Sequence, residues 1–233
     1  MSQPPESLDN NESVAPLHGF HGDRAARSRP TAPSGLTVAV SRESGARGGT
    51  IARLVSKRLG WPVYDQEHLE ILSGDPVAQA NLMDDFSPAC VSWFEARMVY
   101  LSRSLSLSEN DPYYRLVRLV VALGARGEAV ILGRGAGHLL PSTTTLHVRV
   151  IAPLAERVAY LGQYLRLPVA EAEQKLHSRD AQRVAFHRDL LKGTPSDIHQ
   201  YDMILNTGHL GEETCAEAVV RVAQVRWQQI LDR

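Results

Sequence analysis

From residue 36 onward, short apolar runs alternate with longer stretches of helical periodicity. "LTVAV" (36–40), "AVIL" (129–132), "TLHVRVI" (145–151) and "MILN" (203–206) are each bounded by polar or turn-forming residues. Runs of this length and composition read as strands buried on both faces. "PVYD" (62–65) reads as a further short strand. Between the strands, Ile51, Leu54, Val55 and Leu59 fall at helical spacing, and Gly60 with Pro62 ends that helix. Residues 66–128 read as mainly helical. Val91, Phe94, Met98, Leu101 and Leu105 recur at steps of three and four. Asp111 reads as a cap with Pro112 at the first helical position, followed by the stripe Leu116, Leu119, Val120 and Leu123. Further helices are expected near Pro153, near Pro168 and over 211–231. Strands joined through helices must run parallel, with helices on both faces of the sheet. The expected class is therefore α/β, with ligands at the carboxyl ends of the strands.

Composition narrows the function classes. A chain of 233 residues with 43% hydrophobic residues can build one full core. A net charge of −1 gives no bulk attraction to nucleic acid or to a membrane surface. No apolar run reaches the length of a bilayer span, and the N-terminus lacks the apolar core of a secretory signal, so the cytoplasm is the expected location. Cys90 and Cys215 are read as small buried hydrophobes in a reducing compartment. Residues 1–34 carry five prolines among polar residues and few large apolar side chains. They are expected to form a flexible, disordered tail ahead of one domain over 35–233. His18 and His21 in that tail are too few for a stable metal site, and the other histidines lack zinc-ligand spacing. Oligomeric state is not legible.

The loop "SRESGARGGT" (41–50) follows the first strand and opens the first helix. Exposed N–H groups and the helix dipole favour a phosphate there, and glycines let the backbone approach it. The Thr50 hydroxyl stands where it could reach magnesium or phosphate. Gly48 stands where a phosphate-loop lysine is expected, so the motif is incomplete. A glycine-rich turn that only starts a helix fits the same residues.

Four segments together carry a resemblance over roughly residues 36–226. "VAVSRESGARGG", "GWPVYDQEHLE", "AVILGRGAGHLL" and "YDMILNTGHLGEE" resemble, in order and spacing, the cytidylate kinase-like family, a P-loop branch of the nucleoside monophosphate kinases. The family loop also commonly lacks the lysine. Ala46-Arg47 departs from its usual Ser-Gly. The resemblance implies a three-layer P-loop NTPase fold, with a helical acceptor-binding insert at about 66–128 and a lid at about 166–195. It implies ATP as phosphate donor, Mg2+ as cofactor, and phosphorylation of a nucleoside monophosphate, CMP or dCMP first.

Site residues follow from the loop and from the arginines. Ser41, Arg42, Ser44, Gly45, Ala46, Gly48, Gly49 and Thr50 are the nucleotide-binding candidates of the first loop, with Thr50 also a magnesium ligand. Asp65 ends the second strand and is a candidate for orienting a ribose or base. Arg47 either supplies the missing positive charge or points to solvent. Arg134, after a core strand, either bonds carbonyls at the strand end or, as the resemblance implies, contacts the acceptor phosphate. Arg179 and Arg183 share one helical face that His187 extends. They are lid arginines by resemblance, or a solvated face partnered by Asp180 and Asp189. Arg97, Arg103, Arg115 and Arg118 are available to the acceptor pocket, and Trp93 and Phe94 to a base, although the helical spacing favours core packing for Phe94. Leu132 ends the second core strand where the classical relatives that the resemblance points to have an aspartate near magnesium, a departure that leaves Glu43 and Asp65 as substitute candidates. Two other functions stay open: a nucleotide-binding regulatory module without turnover, and a kinase of another small acceptor.

Overall fold

The computed structural model describes residue 33 and residues 35–232. The expected tail and its two histidines lie outside the described residues. Five strands form one sheet in the order β2-β3-β1-β4-β5, every neighbouring pair parallel. They are β1 (Thr37–Arg42), β2 (Val63–Tyr64), β3 (Ala129–Leu132), β4 (Thr145–Ile151) and β5 (Met203–Asn206). Val38 of β1 pairs with Val130 of β3 on one side and Leu146 of β4 on the other, which makes β1 the central strand. This is the expected α/β architecture.

Side-chain alternation divides the sheet into two buried faces. Val38, Val40, Leu146, Val148 and Val150 pack beneath α1 (Gly48–Leu59) and α9 (Thr207–Leu231). Ala39 and Ile131 face the helices on the other side, chiefly α5 (Tyr114–Arg126). The remaining helices are α2 (Gln66–Gly74), α3 (Pro76–Met83), α4 (Pro88–Ser104), α6 (Ala136–Leu139), α7 (Leu154–Leu165) and α8 (Val169–Leu191). α7 and α8 hold a small core of their own, Val158 and Leu161 against Ala172 and Leu176.

Several local expectations change for identifiable reasons. β2 is only Val63–Tyr64, because Asp65 leaves the ladder and its carboxylate accepts the His68 N–H as the cap of α2. The region 66–128 is helical in four pieces, and Asp75 with Pro76 and Ser87 with Pro88 cap and start α3 and α4. The Asp111–Pro112 start is displaced: Asp111 accepts the Tyr113 N–H at 2.8 Å in a turn, and α5 opens at Tyr114. Val91 is exposed, and Cys90 takes its place beside Phe94, Met98 and Leu101. A short helical turn over 207–210, capped by Asn206 through Gly208, precedes Gly211 at φ 74°, which breaks the helix, so the long closing helix follows Gly211 as expected. Cys90 and Cys215 are buried free thiols. Among the described residues no helix is long and apolar enough to cross a membrane.

Candidate active site

The carboxyl ends of β1, β3 and β4 meet the first turn of α1, the turn after β3, and α8. The loop after β1 is shaped by backbone conformation. Gly45 at φ 78° packs so closely on the Arg157 carbonyl that a β-carbon there would collide with it. Arg47 at φ 59° is the N-cap of α1, with no side-chain cap bond. Ala46 is fully buried, and its carbonyl accepts the Thr207 hydroxyl at 3.2 Å. Helix α1 thus opens at Gly48, and the N–H groups of Gly48, Gly49 and Thr50 carry no hydrogen bond among the described residues.

The loop is tied to α8 by a carboxylate. Asp180 Oδ1 accepts the Ser44 N–H at 2.7 Å and Arg183 Nη1 at 3.0 Å, and its Oδ2 accepts Arg157 Nη1 at 2.7 Å. Arg157 also approaches Glu43 Oε2 at 3.4 Å, and Glu43 accepts the Ala152 N–H. The Ser44 side chain is buried and its hydroxyl oxygen has no hydrogen-bond partner among the described residues.

A second turn faces the loop. Gly133, Arg134 and Gly135 all have positive φ, at 82°, 53° and 72°. The N–H groups of Arg134 and Gly135 carry no hydrogen bond among the described residues. Three left-handed residues in succession are unusual for an L-residue such as Arg134. The Arg134 guanidinium pairs with Glu70 of α2 and lies 5.8 Å from the Phe186 ring of α8. It therefore bridges the helices on either side of the cleft.

Several expected residues come together here. Arg42 runs from the end of β1 toward Gly133, and its charge couples with Arg183, Arg134 and Asp65. Burial, with repulsion from Arg183 and Arg134, pushes its pKa down to about 9. Burial also lowers Arg183, with Asp180 opposing and Arg179 and Arg149 reinforcing the effect. Burial works against the Asp65 carboxylate, but the His68 N–H and ring outweigh it and hold the pKa below its ordinary value. Arg179 is half-buried beside Arg183. Ser41 ends β1 facing Tyr201, whose phenol is pushed up by burial against the pull of Arg149 and Ser41. Arg47 is engaged elsewhere: its Nε lies 3.4 Å from Glu212 and its guanidinium 5.2 Å from the Tyr160 ring. Arg97 binds the Leu139 carbonyl at 2.9 and 2.7 Å, and Arg118 lies over Phe94.

The sequence reading missed Arg149, Arg157 and Tyr201, and it treated Asp180 as a local partner only. It also missed a histidine cluster: the His138 ring meets those of His147 and His187 edge to face, with centroids 5.3 and 5.0 Å away. The signal available was "TLHVRVI", where His147 and Arg149 occupy one face of an otherwise apolar strand. Polar residues on a buried strand face imply polar partners.

Comparison with known proteins now bears on this geometry. A family model described as the cytidylate kinase-like family matches residues 37–209. The chain belongs to that family. Its matched region spans the sheet from β1 through β5 and includes both left-handed turns and α8. A cytidylate kinase of Ignicoccus hospitalis is 24% identical over 118 residues, covering 51% of this chain and 69% of the relative. A uronate isomerase of Corynebacterium glutamicum is 35% identical over 92 residues, which is 39% of this chain but 18% of that protein. An uncharacterized protein of Eubacterium ventriosum shares the fold with a TM-score of 0.58 at 15% identity, covering 82% of this chain and 98% of that one. Membership places the protein among kinase-type phosphotransferases.

Proposed function

We propose that this protein transfers the γ-phosphoryl group of ATP to a nucleoside monophosphate, with CMP or dCMP the first acceptor. The observation that carries the reading is the convergence of Arg42, Arg134 and Arg183 on one cleft, where burial, then repulsion from Arg183 and Arg134, holds Arg42 below the ordinary guanidinium range. A desolvated cation repelled by two others is costly without an anion, and a polyphosphate matches it. Unbonded N–H groups line both turns and add neutral donors. Membership in a cytidylate kinase-like family supports the same chemistry.

In the proposed reaction, a phosphate oxygen of the acceptor attacks the γ-phosphorus. The bond from that phosphorus to the β,γ-bridging oxygen breaks, and the electron pair stays on ADP. Such transfer needs positioning and positive charge more than covalent help. The loop 41–50 cradles the donor, Arg134 holds the acceptor phosphate, and Arg179 and Arg183 close over both from a lid at about 166–195. The helices of 66–128 wall the acceptor, with Asp65 toward its ribose. Magnesium fits this site as an ion shared with the phosphates, since it needs only one or two protein oxygens. The Thr50 hydroxyl is half-buried with no hydrogen-bond partner among the described residues, so it would hold the ion. The ion would supply charge neutralisation between phosphates. No acidic or histidine cluster of three that could hold a metal occurs among the described residues, which fits an ion carried in by the nucleotide. We place this activity in the cytoplasm, consistent with two buried free thiols.

The test is steady-state phosphotransfer with ATP, magnesium and a panel of CMP, dCMP, UMP, AMP and GMP. The reading expects CDP or dCDP as the leading product. Formation of no diphosphate from any acceptor would overturn it.

A further inference from the structure

We propose that Arg42, entering from the end of β1, supplies the cation that a lysine at position 48 would otherwise bring to the transferred phosphate. This rests on the phosphotransferase reading above and assigns one residue within it.

The first observation is steric. A β-carbon at Gly48 would lie 2.6 Å from Arg42 Cβ and 3.0 Å from its Cγ. Gly48 does not have positive φ, so the backbone alone does not require glycine there. The space beside position 48 is filled by the β- and γ-carbons of Arg42, so a lysine at 48 would need the two backbone segments to move apart. On the far side, a β-carbon at Gly133 would collide with Arg42 Nη1. Two glycines therefore form a channel that carries the guanidinium from the strand end to the turn after β3.

The second observation is that this guanidinium has no hydrogen bond or ion pair among the described residues, while the nearby carboxylates are occupied. Asp65 holds His68, Glu70 holds Arg134, and Asp180 holds Ser44, Arg157 and Arg183. With its pKa at about 9, Arg42 is still charged at neutral pH. Unbonded N–H groups flank it on both sides, from Gly48, Gly49 and Thr50 and from Arg134 and Gly135. A desolvated, unpaired cation between two sets of donors is half of an anion site. Arg47, the other candidate for the lysine's role, is already spent on Glu212 and Tyr160. As the γ-phosphoryl group leaves the bridging oxygen for the acceptor, Arg42 would neutralise the charge on the group in transit.

The test compares wild type, Arg42→Met, Gly48→Ala and Arg58→Met. Methionine keeps an unbranched stem against Gly48 and removes only the charge. Gly48→Ala keeps the charge and forces the loop away from the root of the Arg42 side chain. Binding is read by calorimetry with inorganic tripolyphosphate, transfer by diphosphate formation, and folding by thermal melts. We expect Arg42→Met to weaken tripolyphosphate binding by at least about 30-fold and to lower kcat by about 10³, with its melting temperature within a few degrees of wild type. Gly48→Ala should weaken binding in the same direction, and Arg58→Met, at an arginine outside the cleft paired with Glu213 and Glu217, should stay within about threefold. If wild type transfers phosphate and Arg42→Met does so within about threefold, the assignment is overturned while the phosphotransferase reading stands. If wild type makes no diphosphate but binds tripolyphosphate through Arg42, the reading fails and Arg42 stands as an anion ligand. Wild-type binding by Gly48→Ala would also overturn the assignment, since it denies the shared space.

Discussion

Replacing Asp180 tests how the helix α8 is held over the phosphate-binding loop. Its carboxylate makes three hydrogen bonds: to the Ser44 N–H, to Arg157 and to Arg183. Two of the three involve guanidinium groups, and bonds to charged groups contribute about 1.5–3 kcal/mol each when shielded from water. Shielding here is partial. The Asp180 side chain is 29% exposed and Arg183 31%, while Arg157 is 12% exposed. Solvent screening places each bond near or below the low end of that range. The Arg157 contact is the best protected, and losing Asp180 leaves that arginine with the longer contacts to the Ser44 carbonyl and to Glu43, each at 3.4 Å. We therefore expect Asp180→Ala to cost about 3 kcal/mol. For a domain of this size, roughly 2–4 °C accompanies each kcal/mol, so the melting temperature should fall by roughly 6–12 °C. Asp180→Asn keeps an oxygen for Ser44 and loses only the charge, so its loss should be about half as large. Differential scanning fluorimetry at low salt reads both. A drop below about 2 °C for Asp180→Ala would refute the idea that this carboxylate fastens α8 to the loop.

Three further outcomes follow from the same geometry. Burial, reinforced by His138, holds His147 and His187 near pKa 4, below the unfolded value of about 6.5. The unfolded chain then binds more protons between pH 6.5 and 4, so stability must fall as pH drops through that window. His187→Leu should flatten this slope in pH-dependent melts, and an unchanged slope would contradict it. Arg134→Ala should lower turnover by about 10²-fold or more at nearly constant melting temperature, because its pair with exposed Glu70 adds little stability; unchanged kinetics would remove Arg134 from the site. Gly45→Ala should destabilise by about 2–4 kcal/mol, from positive φ and collision with the Arg157 carbonyl. A wild-type melt for that variant would contradict the loop geometry.

The sheet was legible because its strands are short apolar runs with little else they can become. LTVAV, AVIL, TLHVRVI and MILN correspond closely to β1, β3, β4 and β5. The long part of α9 was legible from 211 onward, whereas the short turn 207–210 was not, because Thr207-Gly208-His209-Leu210 carries no helical stripe and rests on the Asn206 cap. The site was legible as a set of residues near strand ends, and less so as a set of partnerships. Asp180 meets Ser44 across 136 residues of sequence, which depends on how α8 packs rather than on local spacing. Arg42 and Arg47 are both loop arginines in the sequence. Only the left-handed backbone at Arg47 and the two flanking glycines at Arg42 separate their directions.

The most direct measurement uses ATP labelled with phosphorus-32 at the γ-position, incubated with the wild-type protein, magnesium and CMP. The account predicts that label appears in CDP, with little in inorganic phosphate, and that Arg42→Met abolishes this in a parallel reaction. Label found only in inorganic phosphate, or retained on ATP while nucleotide binds, would contradict phosphoryl transfer to this acceptor.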